Sequence, residues 1–312
     1  MTSFKPAYLK TINAGRMAEK IKNAFDILAS CSLCPRKCRV DRLSGETGVC
    51  KTAYKAYVSS YNAHFGEESP LVGQYGSGTI FFTHCNLMCN FCQNYEISHE
   101  GDGKEISDHQ LAKIMIVLQE SGCHNINFVT PTHVVPMILS SVEIAARMGL
   151  NVPLIYNTSG YETLETIKLI EGVFDIYMPD FKFWDWEIAE ATCKARDYPE
   201  VARIAIIEMH RQVGNLVIHD SGIAVRGLLI RHLVLPNNFA GTRQIMRFIV
   251  NEISPDCYVN IMPQYRPCGK AHEIKALCNN LSKKEYEEAI KAAKDEGISR
   301  FDKQPRIALA FW

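Results

Sequence analysis

Seven of the twelve cysteines lie within residues 31–92, in two groups that differ in number and spacing. The second group reads CNLMCNFC and places three thiols at Cys85, Cys89 and Cys92. Cysteines this closely spaced in a reduced protein usually bind metal. A [4Fe–4S] cluster normally takes four cysteine ligands, so three thiolates would leave one iron open to a small molecule. The spacing therefore predicts an open iron–sulfur site.

The same three cysteines have a second interpretation, as the buried stripe of a helix. Their spacing of i, i+4 and i+7 would place all three on one helical face. Asn86, Asn90 and Asn94 argue against it, because asparagine favours turns over helix interiors. We therefore prefer the metal-binding interpretation.

The first group, Cys31, Cys34, Cys38 and Cys50, has the spacing C-x2-C-x3-C-x11-C. Four thiolates form a closed site, suited to a structural zinc ion or to a fully ligated auxiliary iron–sulfur cluster. The spacing does not decide between zinc and iron–sulfur. Because closed coordination leaves no position for a substrate, we expect this site to support the fold.

Composition narrows the class of protein. The 34 basic and 34 acidic residues balance, so nucleic-acid binding is not indicated. The opening MTSFKPAYLK lacks the apolar stretch of a signal peptide, and no apolar run approaches the length of a membrane span. Cysteines without an export signal are typical of a reducing compartment. We therefore expect a cytoplasmic protein with no membrane partner.

From residue 78 the chain alternates apolar runs with amphipathic stretches, which indicates a parallel sheet with helical crossovers. We predict an α/β fold, with a partial (β/α)6 TIM-like barrel in residues 78–312. Residues 1–77 are predicted to form a small N-terminal extension carrying the four-cysteine metal site. In such folds chemistry lies at the carboxyl ends of the strands. The predicted strands are 79–84, 125–130, 152–158, 175–181, 228–235 and 258–263, and the predicted helices are 15–29, 107–120, 134–148, 161–171, 186–211, 239–252 and 282–296.

CNLMCNFC, with an aromatic residue before its last cysteine, is similar to the signature of the radical S-adenosylmethionine superfamily. The chain also resembles a narrower group, the relatives of pyruvate formate-lyase activating enzyme. That resemblance runs from about residue 30 to 270 and is carried by CSLCPRKC, HFGEESPLVGQYGSGTIFF, NFCQNYEIS, NFVTPTH and MPQYRPCGKA. It implies a [4Fe–4S] cluster on the three-cysteine group, with S-adenosylmethionine bound to its open iron.

The resemblance also implies which strand ends contact S-adenosylmethionine. Thr130 and Thr132 stand where the superfamily has a Gly-Gly-Glu segment that binds the methionyl amino group; Thr132 is equally well interpreted as a helix cap. Asn157 and Ser159 occupy a turn that lies beside S-adenosylmethionine in activating enzymes. Asn157 replaces an aspartate there, so a cation held by that aspartate in relatives is not expected here.

Other matched residues would line the adenine or the substrate. Met262 and Tyr265 match a segment that lines the adenine, and Phe91 could pack over the cluster or beside the purine. Arg266 and Lys270 follow as candidate substrate contacts.

Charged residues at two further strand ends complete the predicted site. Asp180 and Lys182 match an Asp-x-Lys pair, and residues two apart on a strand point the same way, into the cavity or to the surface. Arg231 lies between apolar residues, where an unpaired arginine would be costly to bury. The resemblance implies that Arg231 contacts the substrate or a carboxylate. Glu67 and Glu68 have two interpretations, a place near the cavity or an exposed acidic turn.

These features favour a radical SAM oxidoreductase that reductively cleaves S-adenosylmethionine. The 5′-deoxyadenosyl radical would then take hydrogen from a small-molecule or protein substrate. One alternative is an activase of a glycyl-radical enzyme; another, of a different class, is a non-catalytic iron–sulfur electron carrier or zinc-binding module. The strand-end matches favour catalysis, because an electron carrier needs no adenine cavity. Reduction implies an electron donor such as flavodoxin or ferredoxin.

Overall fold

The strands of the computed structural model, which describes residues 4–303, form one sheet. Strands rich in β-branched and aromatic residues alternate with helices, as expected for crossover connections. The strands are β1 (Ala56–His64), β2 (Ser77–Phe82), β3 (Lys104–Ile106), β4 (Ile126–Val129), β5 (Leu154–Thr158), β6 (Ile176–Pro179), β7 (Val217–Ile218), β8 (Ala224–Leu233), β9 (Tyr258–Met262) and β10 (Arg300–Phe301).

The strand order is β10-β9-β8-β6-β5-β4-β2-β1-β3, with β7 paired to β8. All neighbouring pairs from β2 to β10 along this order are parallel, whereas β1 is antiparallel to both β2 and β3. The predicted α/β fold is confirmed, and its open, mostly parallel sheet is consistent with a partial TIM-like barrel. The domain boundary at residue 77 stays a prediction, and β1, on its N-terminal side, pairs with β2.

Helices cover the sheet and connect its parallel strands. Two of them begin with a capping box, in which serine and the residue three positions later bond to each other's backbone; these are Ser107 with Gln110 and Ser282 with Glu285. The helices are α1 (Ala7–Asn13), α2 (Met17–Asp26), α3 (Ser69–Val72), α4 (Asp108–Glu120), α5 (Val135–Arg147), α6 (Leu164–Leu169), α7 (Trp186–Cys193), α8 (Tyr198–Val213), α9 (Thr242–Phe248) and α10 (Lys283–Asp295).

The single helix predicted over 186–211 is wrong, because the chain forms α7 and α8 there. Lys194 ends α7 in the left-handed region, with a φ of 49°. Pro199 lies in the first turn of α8, where its missing N–H costs nothing, whereas inside a longer helix it would break a hydrogen bond. The break places the end of α7 beside the three-cysteine loop, because Asn90 N donates to Thr192 O at 2.9 Å.

The amino-terminal ends of the strands are covered by α1, which the sequence did not predict. Asp175, just before β6, accepts hydrogen bonds from Ala7 N at 2.8 Å and from Leu154 N at 3.1 Å. The core lies between sheet and helices, and every residue of β5 and β6 is buried. Within residues 4–303, we find no helix with the length and apolar character needed to span a membrane.

Candidate functional site

A cavity of about 410 Å³ lies at the carboxyl ends of the parallel strands, within the size range of small-molecule sites. The ends of β2, β4, β5, β6, β8 and β9 all contribute side chains to it. It brings together most of the residues that the sequence predicted for the site: Cys85, Cys89, Cys92, Phe91, Thr130, Asn157, Ser159, Asp180, Lys182, Arg231 and Met262.

The three cysteines lie in a turn-rich loop that follows β2. The helical interpretation of their spacing is wrong, because residues 83–94 contain no helix. His84 and Met88 have left-handed φ angles of 63° and 57°, which a continuous helix does not allow. The turns bring Cys85, Cys89 and Cys92 to one wall of the cavity.

An ion-pair network lines the same cavity, formed by residues directly after β6 and on β8. Asp180 accepts from Lys182 Nζ at 2.5 Å and from Arg231 Nε at 2.8 Å. The sheet register makes this possible, since Asp180 and Arg231 are bridge partners. The predicted pair thus faces the cavity, and the surface-pair interpretation is wrong.

The network continues to β5 and to the turn after β1. Arg231 Nη2 donates to Asn157 Oδ1 at 2.7 Å, and Arg231 Nη1 lies 3.7 Å from Glu67 Oε2. Glu67 Oε1 in turn lies 3.4 Å from His64 Nδ1. An amide oxygen at Asn157 suits an arginine donor that already pairs with two carboxylates. The interpretation of Glu67 as an exposed acidic residue is wrong.

Burial and charge act in opposite directions on this network. Burial favours neutral Asp180, but Arg231 and Lys182 more than offset it and hold the pKa of Asp180 below its usual range. Burial alone would lower the pKa of Lys182, yet Asp180 raises it above its usual range. Asp180 is therefore a carboxylate, and Lys182 an ammonium, throughout the physiological pH range.

Glu68 lies beside this network but does not line the cavity. Its carboxylate accepts from Asn260 Nδ2 at 2.8 Å, and burial raises its pKa to about 7. The exposed-turn interpretation is therefore wrong for Glu68 as well.

Two predicted contact residues lie behind the cavity wall. Thr132 is buried and donates to Glu162 Oε1 at 2.5 Å, so its hydroxyl is directed away from the cavity. Tyr265 packs edge-on against Phe91, with ring centroids 6.1 Å apart, and donates to Leu277 O at 2.7 Å. Neither residue lines the cavity, nor do Arg266 and Lys270.

Sequence reasoning missed His64, His84, Glu162 and Cys193. His64 and His84 line the cavity, and His84 could have been found from its position directly before Cys85. Glu162 accepts from three buried hydroxyls, those of Thr132, Thr158 and Tyr156. Burial raises its pKa to about 7. Cys193 lies against Cys89, and no local pattern signals it.

The cavity fits an iron–sulfur cluster with a polar ligand. Its three thiols are the ligand type that such clusters use. Each thiolate would bind a different iron atom, so the three sulfur atoms need not meet at one point. Three residues that line the cavity, His64, His84 and Ser159, each have a buried side-chain atom with no hydrogen-bond partner among residues 4–303. Buried polar atoms without a partner are uncommon, and their grouping around this cavity is consistent with a polar ligand.

The four-cysteine segment forms a different kind of site. Cys31, Cys34 and Cys50 are buried and Cys38 is half-buried around a space of about 10 Å³, too small for more than a single water. In the part of the chain that the structure describes, no three His, Cys, Asp or Glu side chains are arranged to hold one metal ion. A zinc ion would require these thiols to move closer to one point, whereas an iron–sulfur cluster would require a larger space between them.

Comparison with known proteins agrees with the geometry of the site. The model of the radical SAM superfamily matches residues 79–249, more than half of the chain. An uncharacterized protein of Methanocaldococcus jannaschii is 34% identical over 284 residues, which cover 88% of this chain and 77% of that protein.

Among solved structures, a radical SAM methyltransferase from Sphaerobacter thermophilus is similar, with a TM-score of 0.51 and 16% identity. The match covers 72% of this chain and 66% of the methyltransferase, so the chain spans just under two thirds of that enzyme. At this identity the likeness supports the fold alone. The family match and the three cysteines at the strand ends lead to one conclusion: the chain belongs to the radical SAM superfamily.

Proposed function

We propose that this protein reductively cleaves S-adenosylmethionine at an open [4Fe–4S] cluster held by Cys85, Cys89 and Cys92. Membership of the radical SAM superfamily implies both the cluster and S-adenosylmethionine. The observation that carries the proposal is that these three thiols share one cavity with a charged network at the ends of other strands. A simple electron carrier needs no such cavity.

The cluster, when bound, supplies the electron that breaks the sulfur–carbon bond, and the protein positions the reactants. Asp180 and Glu67 offer negative charge, whereas Lys182 and Arg231 offer positive charge, so both charges of a methionyl group would find partners. Ser159 offers an unused hydroxyl.

Apolar side chains of the cavity suit the rest of the ligand. Phe91, Phe81 and Met262 form apolar parts of the wall. They suit a purine ring, and they keep water from a reactive radical.

The substrate of hydrogen abstraction would bind in the remainder of the cavity, as a small molecule or as a segment of a protein. The proposed reaction is that of an oxidoreductase, and it needs an electron donor such as flavodoxin or ferredoxin. A reducing compartment such as the cytoplasm suits an oxygen-sensitive cluster. The relationship to activases of glycyl-radical enzymes rests on sequence resemblance alone.

Anaerobic reconstitution with iron and sulfide tests the proposal. The protein should then hold an oxygen-sensitive cluster whose electron paramagnetic resonance changes when S-adenosylmethionine is added. With dithionite it should slowly release 5′-deoxyadenosine and methionine even without substrate.

Two outcomes would contradict this reaction. Methylthioadenosine as the sole product would indicate cleavage of a different carbon–sulfur bond. Replacement of Cys85, Cys89 and Cys92 together by alanine, with full iron content and activity retained, would remove the proposed site altogether.

A further inference from the structure

Arg36 lies within the four-cysteine segment, between Cys34 and Cys38, yet its side chain reaches the other cysteine group. Its guanidinium donates to Asn86 O at 3.0 Å and to Leu87 O at 3.0 Å, both in the three-cysteine loop. It also donates to Cys193 O at 2.7 Å and to Lys194 O, at the end of α7. One side chain thus joins the metal-binding segment, the three-cysteine loop and α7.

The chemistry of these contacts requires arginine. A guanidinium carries five N–H donors in a rigid planar fork, whereas lysine offers three donors on a single nitrogen. The Arg36 guanidinium carbon lies 5.3 Å from the ring centroid of Tyr161. The backbone carbonyl of Tyr161 accepts a hydrogen bond from Asn86 Nδ2 at 2.7 Å. Arg36 and Tyr161 therefore hold the loop at Asn86 from two sides.

Arg42 makes a second connection from the same segment. It is 1% exposed, and it donates to Cys31 Sγ at 3.7 Å and to His133 O at 2.8 Å. His133 Nε2 lies 2.9 Å from Thr83 O, two residues before Cys85. The four-cysteine segment therefore supports the three-cysteine loop at its start, through Arg42, and within it, through Arg36.

Few elements of regular structure order this segment, although Leu33 is buried and its carbonyl accepts from Thr163 Oγ1 at 3.1 Å and Thr166 Oγ1 at 2.7 Å. Its regular structure between Cys31 and Cys50 is one short 3-10 turn, Arg42–Ser44. Three of its four thiols are buried around almost no free volume. Small cysteine-rich segments of this kind commonly order only when metal binds.

We propose that Arg36 is a positioning residue that couples metal binding at the four-cysteine segment to assembly of the cluster on Cys85, Cys89 and Cys92. Metal orders the segment, the segment places Arg36, and Arg36 fixes the carbonyls of the three-cysteine loop. Arg36 also adds a positive charge beside that loop, and nearby charge is one of the factors that set a cluster's reduction potential. The inference rests on the proposed function, because it requires a cluster in the cavity.

Arg36→Gln tests the first half of the coupling. Outer partners of metal ligands typically contribute 10–100-fold to affinity, so we expect iron binding at the three-cysteine loop to weaken by about tenfold. The remaining cluster should have a more negative midpoint potential, a change that a merely structural role would not produce. Arg39→Gln is the matched control, since Arg39 is exposed in the same segment.

Arg36→Lys separates charge from geometry and serves as the second variant if Arg36→Gln does not fold. It should lose part of the iron but keep a potential close to that of the wild type. Wild-type iron content and potential in Arg36→Gln would overturn the proposal. If only Arg36→Lys folds, wild-type iron content in that variant would overturn it.

Cys34→Ser tests the second half, the effect of metal in the four-cysteine segment. It should weaken the signal that responds to S-adenosylmethionine, and adding Arg36→Gln should cause no further loss. An undiminished signal in Cys34→Ser would overturn the coupling. Failure of the proposed function is a distinct result, because the wild type itself would then lack this signal.

Discussion

The two cysteine groups use the same ligand atom in opposite surroundings. The three-cysteine loop lies at the wall of a cavity of about 410 Å³, whereas the four cysteines enclose about 10 Å³. The first site has room for a ligand and faces a charged network, and the second has buried thiols and arginine contacts to backbone carbonyls. Under the proposed function, the free volume beside the thiols, more than the thiols themselves, distinguishes the reactive site from the supporting one.

The sharpest test of this contrast is Cys89→Ala. It removes one of only three ligands, so no stable cluster should form and release of 5′-deoxyadenosine should fall below detection. Cys123→Ala is the control, because Cys123 is also buried but belongs to neither group. Measurable release of 5′-deoxyadenosine by Cys89→Ala would contradict the assignment of the reaction to the three-cysteine loop.

Cys34→Ser should have its largest effect on stability. The loss of a metal site is among the changes that exceed about 4 kcal/mol, and we expect a decrease of that order in the free energy of unfolding. Cleavage of S-adenosylmethionine per bound three-cysteine cluster should persist, since the four-cysteine site has no space for substrate. Thermal unfolding and the rate per bound cluster test both statements, with Cys278→Ser as an exposed control.

Metal analysis of the same variant tests the prediction that the four cysteines bind a metal, and which metal it is. Loss of zinc would indicate a structural ion, whereas iron loss greater than the loss of the cluster that responds to S-adenosylmethionine would indicate an auxiliary cluster. A stable Cys34→Ser variant with an intact three-cysteine cluster but no turnover would assign the four-cysteine site to the reaction itself.

Asp180→Asn should weaken the proposed catalysis while leaving the iron content of the protein unchanged. It leaves the buried cations Lys182 and Arg231 without the carboxylate that they share, and removing one partner of a buried ion pair is costly. We expect formation of 5′-deoxyadenosine to fall roughly 100-fold, a loss of about 3 kcal/mol in transition-state stabilisation. Asp185→Asn is the control, because asparagine caps a helix as well as aspartate does. Wild-type rates in Asp180→Asn would exclude the network from ligand positioning.

The smallest expected effect concerns Glu162. Burial raises the pKa of its carboxyl group from an ordinary 4.5 to about 7. Because the folded state holds this proton more tightly than the unfolded state, its contribution to stability is present at low pH. That contribution is lost as pH rises toward 7. The free energy of unfolding of the wild type, relative to that of Glu162→Gln, should therefore fall by roughly 2 kcal/mol between pH 5 and pH 7. Denaturant unfolding at both pH values measures it.

Glu165→Gln, on the exposed face of α6, should show no such dependence on pH. A pH-independent difference between the wild type and Glu162→Gln would mean that Glu162 is ionised in the folded protein. Its three hydroxyl donors would then outweigh the effect of burial on its pKa.

Sequence determined the features that short patterns encode. Apolar runs alternating with amphipathic stretches predicted the parallel strands. A strand that is buried on both faces of a sheet is a nearly continuous apolar run. The spacing of CNLMCNFC predicted a metal-binding loop. Asp180, Lys182 and Arg231 lie in one cavity because parallel strands end at the same edge of the sheet.

Tertiary structure alone decided how distant parts meet. Thr132 turns from the cavity to Glu162, thirty residues on, and Arg36 bonds to Cys193 O across 157 positions. Such contacts leave no periodic trace in the sequence, because each depends on where two separate segments pack. The number and spacing of cysteines suggested open and closed coordination, but only packing determined how much space lies beside each group of thiols and which arginine joins the two.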